Sequence, residues 1–197
     1  MNIIVETNWI NRETHKGISE HYKAVNQACE SIEGVEFIGL FKPLSEPWNW
    51  TRFMRLDSLE KWRIVDKEVN RLYPDADNNV SSSMSRLYWW VDTDIKAPPI
   101  RDPESLKYLV MDLSMSREAN LGIMEYYAQR CEQFAGLEGA GLLGLYLPLT
   151  ESWNAALIKL FDSLTRYLDA GIEYHKTYRR IPEITGGVER VYERYEP

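Results

Sequence analysis

The chain has 197 residues and is poor in the side chains that build metal and disulfide chemistry. Its only cysteines are Cys29 and Cys131, and its three histidines, His15, His21 and His175, are scattered. Two cysteines make no disulfide framework. A zinc site needs several Cys or His ligands at close spacing, so no metal site is expected. No run of about 18 apolar residues occurs, so no membrane-spanning helix is expected. The first residues, Met1 to Glu6, lack a basic start and a long apolar stretch, unlike a signal peptide. A glycine-rich phosphate loop is also missing. Gly136, Gly139, Gly141 and Gly144 lead into a strand pattern, not into a helix start. Positive charge is short, with 23 Lys and Arg against 30 Asp and Glu and a formal charge of −7. A nucleic-acid surface or an anionic-lipid surface needs the opposite balance. These absences lead us to expect a cytoplasmic protein with no nucleic-acid or membrane partner and no cofactor.

Aromatic residues, in contrast, are abundant: 7 Trp, 12 Tyr and 5 Phe. Hydrophobic residues make up 44% and charged residues 27%, the balance of a folded soluble protein. The strongest signal is self-similarity at an offset of 105 residues. Glu33-Gly34 falls on Glu138-Gly139, Gly39-Leu40 on Gly144-Leu145, Pro43-Leu44 on Pro148-Leu149 and Glu46 on Glu151. Trp48-Asn49 falls on Trp153-Asn154, and Asp57-Ser58-Leu59 on Asp162-Ser163-Leu164. These are twelve identities over positions 33–59 without a gap, and they imply a tandem duplication.

Each half carries the same element signals. In the first, residues 2–9 alternate as a strand. Ile18, Tyr22, Val25, Cys29 and Ile32 form one face of a helix over 16–32. Strands are expected at 35–42 and 49–56, then a helix capped by Asp57 or Ser58 with Leu59, Trp62, Val65, Val69 and Leu72 facing inward. A polar loop over 75–83 precedes a strand at 86–91. The second half repeats this as strand 107–114, helix 117–135, strands 140–147 and 154–160, helix 163–178 and strand 187–195. The order βαββαβ is the split βαβ, or ferredoxin-like, arrangement. The expectation is an α+β protein of two tandem ferredoxin-like repeats, residues 1–91 and 106–197. They are joined by a proline-containing linker, 92–105, and form a dimeric α/β-barrel-like arrangement within one chain. A sheet with helices on one face needs cover on the other, and a second copy supplies it.

The stretch Gly39-Leu40-Phe41, Trp48-Asn49 and Arg55-Leu56-Asp57-Ser58-Leu59-Glu60-Lys61-Trp62 resembles the dimeric α/β-barrel superfamily. It is nearest to NIPSNAP-like domains and to antibiotic-biosynthesis monooxygenase-type domains. Gly144, Trp153-Asn154 and Phe161-Asp162-Ser163-Leu164 repeat the pattern, and the resemblance covers about nine-tenths of the chain. It implies a small-molecule enzyme, such as a cofactor-independent oxygenase or isomerase acting on an aromatic or polyketide-like substrate. A non-catalytic ligand-binding or self-assembly protein of the same fold is the alternative, and a homodimer is the expected further partner.

The resemblance points to Asn49 and Asn154 as catalytic candidates, because an amide can orient a substrate oxygen or stabilise an oxyanion. Trp48, Trp50 and Trp153 would supply apolar walls. Both Trp-Asn pairs also sit at loop-to-strand junctions, where Asn commonly satisfies backbone groups. His21 lies at the margin of the buried helix face and is a candidate general base; its counterpart is Tyr126. Arg52, Arg55 and Lys159 lie on otherwise apolar strands, so each must be paired or face a polar cavity. Arg52 and Tyr126 are therefore counted as substrate-binding candidates. Arg130 takes the place of Val25 on its helix and can snorkel to the rim. Glu46 and Glu151 sit beside the Trp-Asn pairs as carboxylate candidates. His175 could bind haem iron, but the supporting residues of haem-binding members do not surround it.

Overall fold

The structure, a computed structural model, describes residues 2–13, 16–75 and 79–197. His15 and part of the 75–83 loop lie outside the described residues. The chain divides into two compact units, Met1–Trp89 with Arg194–Pro197, and Trp90–Glu193.

The first unit contains β1 (Ile3–Asn11), α1 (Ile18–Ser31), β2 (Val35–Pro43), β3 (Trp50–Leu56), α2 (Leu59–Leu72) and β4 (Val80–Trp90). β1 lies between β3 and β4, β3 lies between β1 and β2, and all three pairings are antiparallel. Alternation along a strand sends Ile3, Val5 and Trp9 to one face of β1, and Trp50, Arg52, Met54 and Leu56 to the same face of β3. α1 and α2 cover that face. Ile3, Val5, Met54 and Leu56 pack with Val25, Ala28, Cys29, Val65 and Val69 in one core. Trp9, Ile18, Leu40 and Trp50 form a second cluster beside it. Gly39 makes the register shift in β2 at φ 155°, where a Cβ would meet the Phe41 ring at 2.8 Å.

The second unit contains β5 (Tyr108–Ser116), α3 (Ile123–Phe134), β6 (Ala140–Pro148), β7 (Ala155–Phe161), α4 (Leu164–Thr177) and β8 (Ile184–Arg194). β5 lies between β7 and β8, and β6 pairs with β7, all antiparallel. Its core joins Val110, Leu142, Leu157 and Phe161 to Ile123, Tyr127, Phe134 and Ala170 from the two helices. The chain is thus α+β, with eight strands and four helices among the described residues.

Three boundaries differ from the sequence expectation. β4 begins at Val80, so Ser81, Ser82 and Ser83 extend a strand whose exposed side chains carry no apolar alternation. β8 begins at Ile184, through the equally unpatterned Thr185-Gly186-Gly187. α3 begins only at Ile123, because Gly122 is left-handed at φ 75° and closes a turn before the helix. Within 92–105, Pro103–Ser105 form one short 3-10 turn. No described helix is long and apolar enough to cross a membrane.

Candidate functional site

The first unit holds a cavity of about 270 Å³ between its sheet and its helices. Strand alternation brings Thr7 and Trp9 to it from β1 and Arg52 from β3. Helical spacing brings Ile18 and His21 from α1, and Trp62, Asp66 and Val69 from α2, with Tyr73 just past its end. The last four recur at intervals of four, three and four residues, one stripe of the helix. Ser83 and Ser85 close one side from β4, and Ser85 Oγ donates to Thr7 Oγ1 at 3.3 Å. Gly17 shapes the start of α1. Its φ is 70°, and a Cβ there would fall 1.9 Å from the Tyr73 hydroxyl, so glycine lets the tyrosine reach the cavity wall.

Three residues that line this cavity each carry a buried polar atom with no partner in the protein: His21 Nε2, Arg52 Nε and Trp62 Nε1. Leaving a buried donor or acceptor unpaired costs about 1–3 kcal/mol, so three at one cavity call for an explanation. Arg52 uses its other end, with Nη2 donating to Asp66 Oδ1 at 2.7 Å. The His21 ring rests against Trp9, centroids 5.0 Å apart. Burial, and then the Arg52 charge, lower the His21 pKa to about 3. The imidazole is therefore uncharged in the neutral range. In that range His21 offers a hydrogen bond and holds a proton poorly.

The second unit has a larger cavity of about 530 Å³ with a different character. Asp112, Tyr126, Arg130, Lys159, Tyr167 and Glu189 line it, and they satisfy one another. The Tyr126 hydroxyl donates to Asp112 and accepts from Arg130 Nη2 at 2.9 Å. Lys159 Nζ donates to Glu189 Oε1 at 2.7 Å and lies 3.6 Å from Asp112. Arg130 stacks its guanidinium 3.5 Å above the Tyr174 ring. Burial pushes the Tyr126 phenol well above its ordinary range, with Asp112 adding to the effect. Volume would favour this cavity as a site. Unmet hydrogen-bonding capacity favours the smaller one, and it is the better guide, since a self-neutralised network asks nothing of a ligand. His175 is exposed on α4 and packs edge-on to Tyr174 at 5.9 Å. A haem needs an apolar slot and an axial ligand facing it. The paired charges beside His175 do not fit that group.

Of the sequence candidates, His21 and Arg52 come together in the first cavity, and Tyr126 lies in the second. Asn49 and Asn154 are not among the residues lining either. Asn49 Oδ1 accepts from the Asn11 N–H at 2.8 Å, and its own N–H donates to the Trp9 carbonyl at 3.0 Å. Asn154 makes the same pair of bonds to Ser116 N–H, at 2.7 Å, and to the Ser114 carbonyl, at 2.9 Å. Trp48 and Trp153 are half-buried before these residues, and Trp50 packs in the cluster with Trp9 and edge-on to Tyr195. Glu46 binds Arg86 through both carboxylate oxygens, at 2.8 and 2.9 Å, and Glu151 binds Arg190 in the same way. Arg55 pairs with Glu36 at 3.3 Å.

The sequence reading missed Trp62, Asp66 and Tyr73 as cavity residues. Trp62 was placed among core positions, and Asp66 breaks the apolar stripe one turn later, which was the available signal. It also missed Glu6, fully buried on the opposite face of β1, which accepts from Arg86 Nη1 at 2.6 Å, Tyr88 OH at 2.7 Å and Asn8 Nδ2 at 2.7 Å.

No protein-family model and no curated protein sequence matches this chain. Solved structures do. A candidate monooxygenase from Fusobacterium nucleatum is similar at 13% identity, with a TM-score of 0.62 over 99% of this chain and 93% of that one. An anthrone oxidase-like protein is similar at 13% identity and a TM-score of 0.56, over 99% and 92%. A mutant chlorite dismutase from Candidatus Nitrospira defluvii is similar at 6% identity and a TM-score of 0.65, over 98% and 92%. These neighbours belong to the dimeric α/β-barrel superfamily, and what the chain shares with them is the fold.

Proposed function

We propose that this chain is a small-molecule oxidoreductase of the monooxygenase-like kind, with its site in the cavity of the first unit. On this reading each unit is a ferredoxin-like repeat of a duplicated chain, related to NIPSNAP-like and antibiotic-biosynthesis monooxygenase-type domains. The observation that carries it is the convergence of His21 Nε2, Arg52 Nε and Trp62 Nε1, all buried and unpartnered, on one cavity. The names of the structural neighbours, candidate monooxygenase and anthrone oxidase-like protein, support the reaction class. A volume of about 270 Å³ lies just below the range for drug-sized ligands and suits a compact aromatic molecule.

Trp9 and Trp62 form the flat walls of the cavity, and Arg52 stabilises charge on the substrate oxygen. The uncharged His21 orients that oxygen by a hydrogen bond. The Asp66 carboxylate, half-exposed and bonded to Arg52, accepts the ring proton and passes it to solvent. An electron-rich anion held this way reacts with dioxygen directly. For an anthrone, the ring CH₂ becomes a carbonyl, one oxygen atom enters the product and the other leaves as water.

The test is dioxygen uptake with hydroxylated anthrones and naphthols. Uptake above the buffer rate, reduced at least about tenfold in Arg52→Gln with the fold retained, is expected. Uptake no faster than in buffer across the set, or equal uptake by Arg52→Gln, overturns the reading.

A further inference from the structure

Residues that line the first cavity carry hydrogen-bond donors with nothing in the protein to receive them. Arg52 Nε–H and Trp62 Nε1–H can only donate, and both are buried without a partner. His21 Nε2, also buried and unpartnered, is a third donor when it carries the imidazole proton. The charged and titratable groups lining the cavity from all sides are Lys16, His21, Arg52, Asp66 and Tyr73. Lys16 is exposed and donates to Glu13. Burial keeps His21 uncharged and pushes the Tyr73 phenol up, so neither contributes charge near neutral pH. Asp66 engages only the Nη2 end of Arg52, and its side chain is 44% exposed while that of Arg52 is 5% exposed. The Nε–H of this buried cation thus has no acceptor, and its counter-charge, Asp66, lies half in solvent.

We infer that this cavity takes its ligand as an aryl oxyanion, an aryloxide or aryl carboxylate whose charged oxygen accepts from Arg52 Nε and Trp62 Nε1. The inference rests on reading this cavity as the substrate site, and it names the ionised form as the one that binds. A neutral carbonyl or hydroxyl would fill the donors but leave the buried charge balanced only by the half-exposed Asp66. A charged acceptor meets both needs, and hydrogen bonds to charged groups are the stronger kind.

The probe is 4-nitrophenol, which is yellow only when ionised, mixed with the intact protein at one pH unit below its ionisation midpoint. About a tenth of the free dye is ionised there, and more than half should be ionised when bound, a tenfold or larger shift in the ratio. Arg52→Gln should abolish the shift. Trp62→Phe, which keeps the ring, should weaken binding about tenfold with thermal unfolding little changed. Displacement by benzoate but not by benzamide would extend the class to carboxylates. Displacement by neither would confine it to aryloxides. Dye that binds un-ionised, or a shift unchanged in Trp62→Phe, overturns the inference while leaving a ligand cavity. Dye that does not bind at all overturns the inference together with the cavity. A colour shift without dioxygen uptake would sink the oxidoreductase reading and leave the oxyanion site standing.

Discussion

Arg52 and Asp66 meet through a single hydrogen bond of 2.7 Å, from Nη2 to Oδ1, that ties β3 to α2. The pair is lopsided, with the cation buried and the acid half in solvent. Asparagine keeps an oxygen for Arg52 Nη2 but removes the counter-charge of a buried cation, so Asp66→Asn should cost about 1–3 kcal/mol. Removing its charge leaves Arg52 freer to hold an anion. Affinity for 4-nitrophenolate should therefore rise several-fold while turnover falls, because the proton acceptor is gone. Dye titration and dioxygen uptake on the same preparation check the two opposite signs.

His21 sets a pH dependence. Its folded pKa of about 3 lies below its unfolded value near 6.5. The unfolded chain therefore takes up a proton that the folded protein refuses. The stability this group contributes is complete above 6.5 and is lost as pH falls toward 3, at up to about 1.4 kcal/mol per unit. Urea midpoints between about pH 7 and pH 5 should fall in the wild type and flatten in His21→Asn. An imidazole that titrates near 6.5 by NMR in the folded protein would contradict the assignment.

Asn49 and Asn154 hold backbone in place. Replacing either by alanine orphans one N–H, that of Asn11 or Ser116, and should cost about 1–3 kcal/mol. Dye binding by Asn49→Ala should match the wild type once corrected for folded fraction. Lost binding without lost stability would return Asn49 to the site.

The second unit's network should behave as structure. Lys159 is 3% exposed and serves both Glu189 and Asp112. Lys159→Met removes the ion-pair partner of Glu189 and leaves Asp112 with Arg130 at 3.7 Å, and should cost about 3 kcal/mol in denaturant unfolding. Lys159→Arg should retain most of that stability. If Lys159→Met is as stable as wild type, the network does not hold the unit together.

The pattern of strands and helices could be read from the chain because the buried faces keep a strict period, as in Ile3-Val5-Trp9 on β1 and Ile18-Val25-Cys29 on α1. Where exposed strand carried no such alternation, as in Ser81 to Ser83, the boundary was missed. Candidate residues divided along similar lines. His21 was visible because it sits at the edge of an apolar stripe, and Arg52 because charge on a buried strand needs a reason. A backbone role for Asn49 could be read from its loop-to-strand junction, but its partner could not, since Asn11 is 38 residues away. Trp62 and Asp66 were hidden for another reason. Whether a tryptophan on a buried helix face meets core or cavity depends on what the rest of the fold places around it, and here His21, from the other helix, lines the same cavity.

The most direct measurement is the ¹H–¹⁵N spectrum of the indole N–H groups during titration with 4-nitrophenolate. The chain has 7 tryptophans, and Trp62→Phe identifies one signal. The account predicts a saturable downfield shift of the Trp62 indole proton, with the exposed Trp89 unmoved. A Trp62 signal that stays in place while ligand binds elsewhere would contradict it.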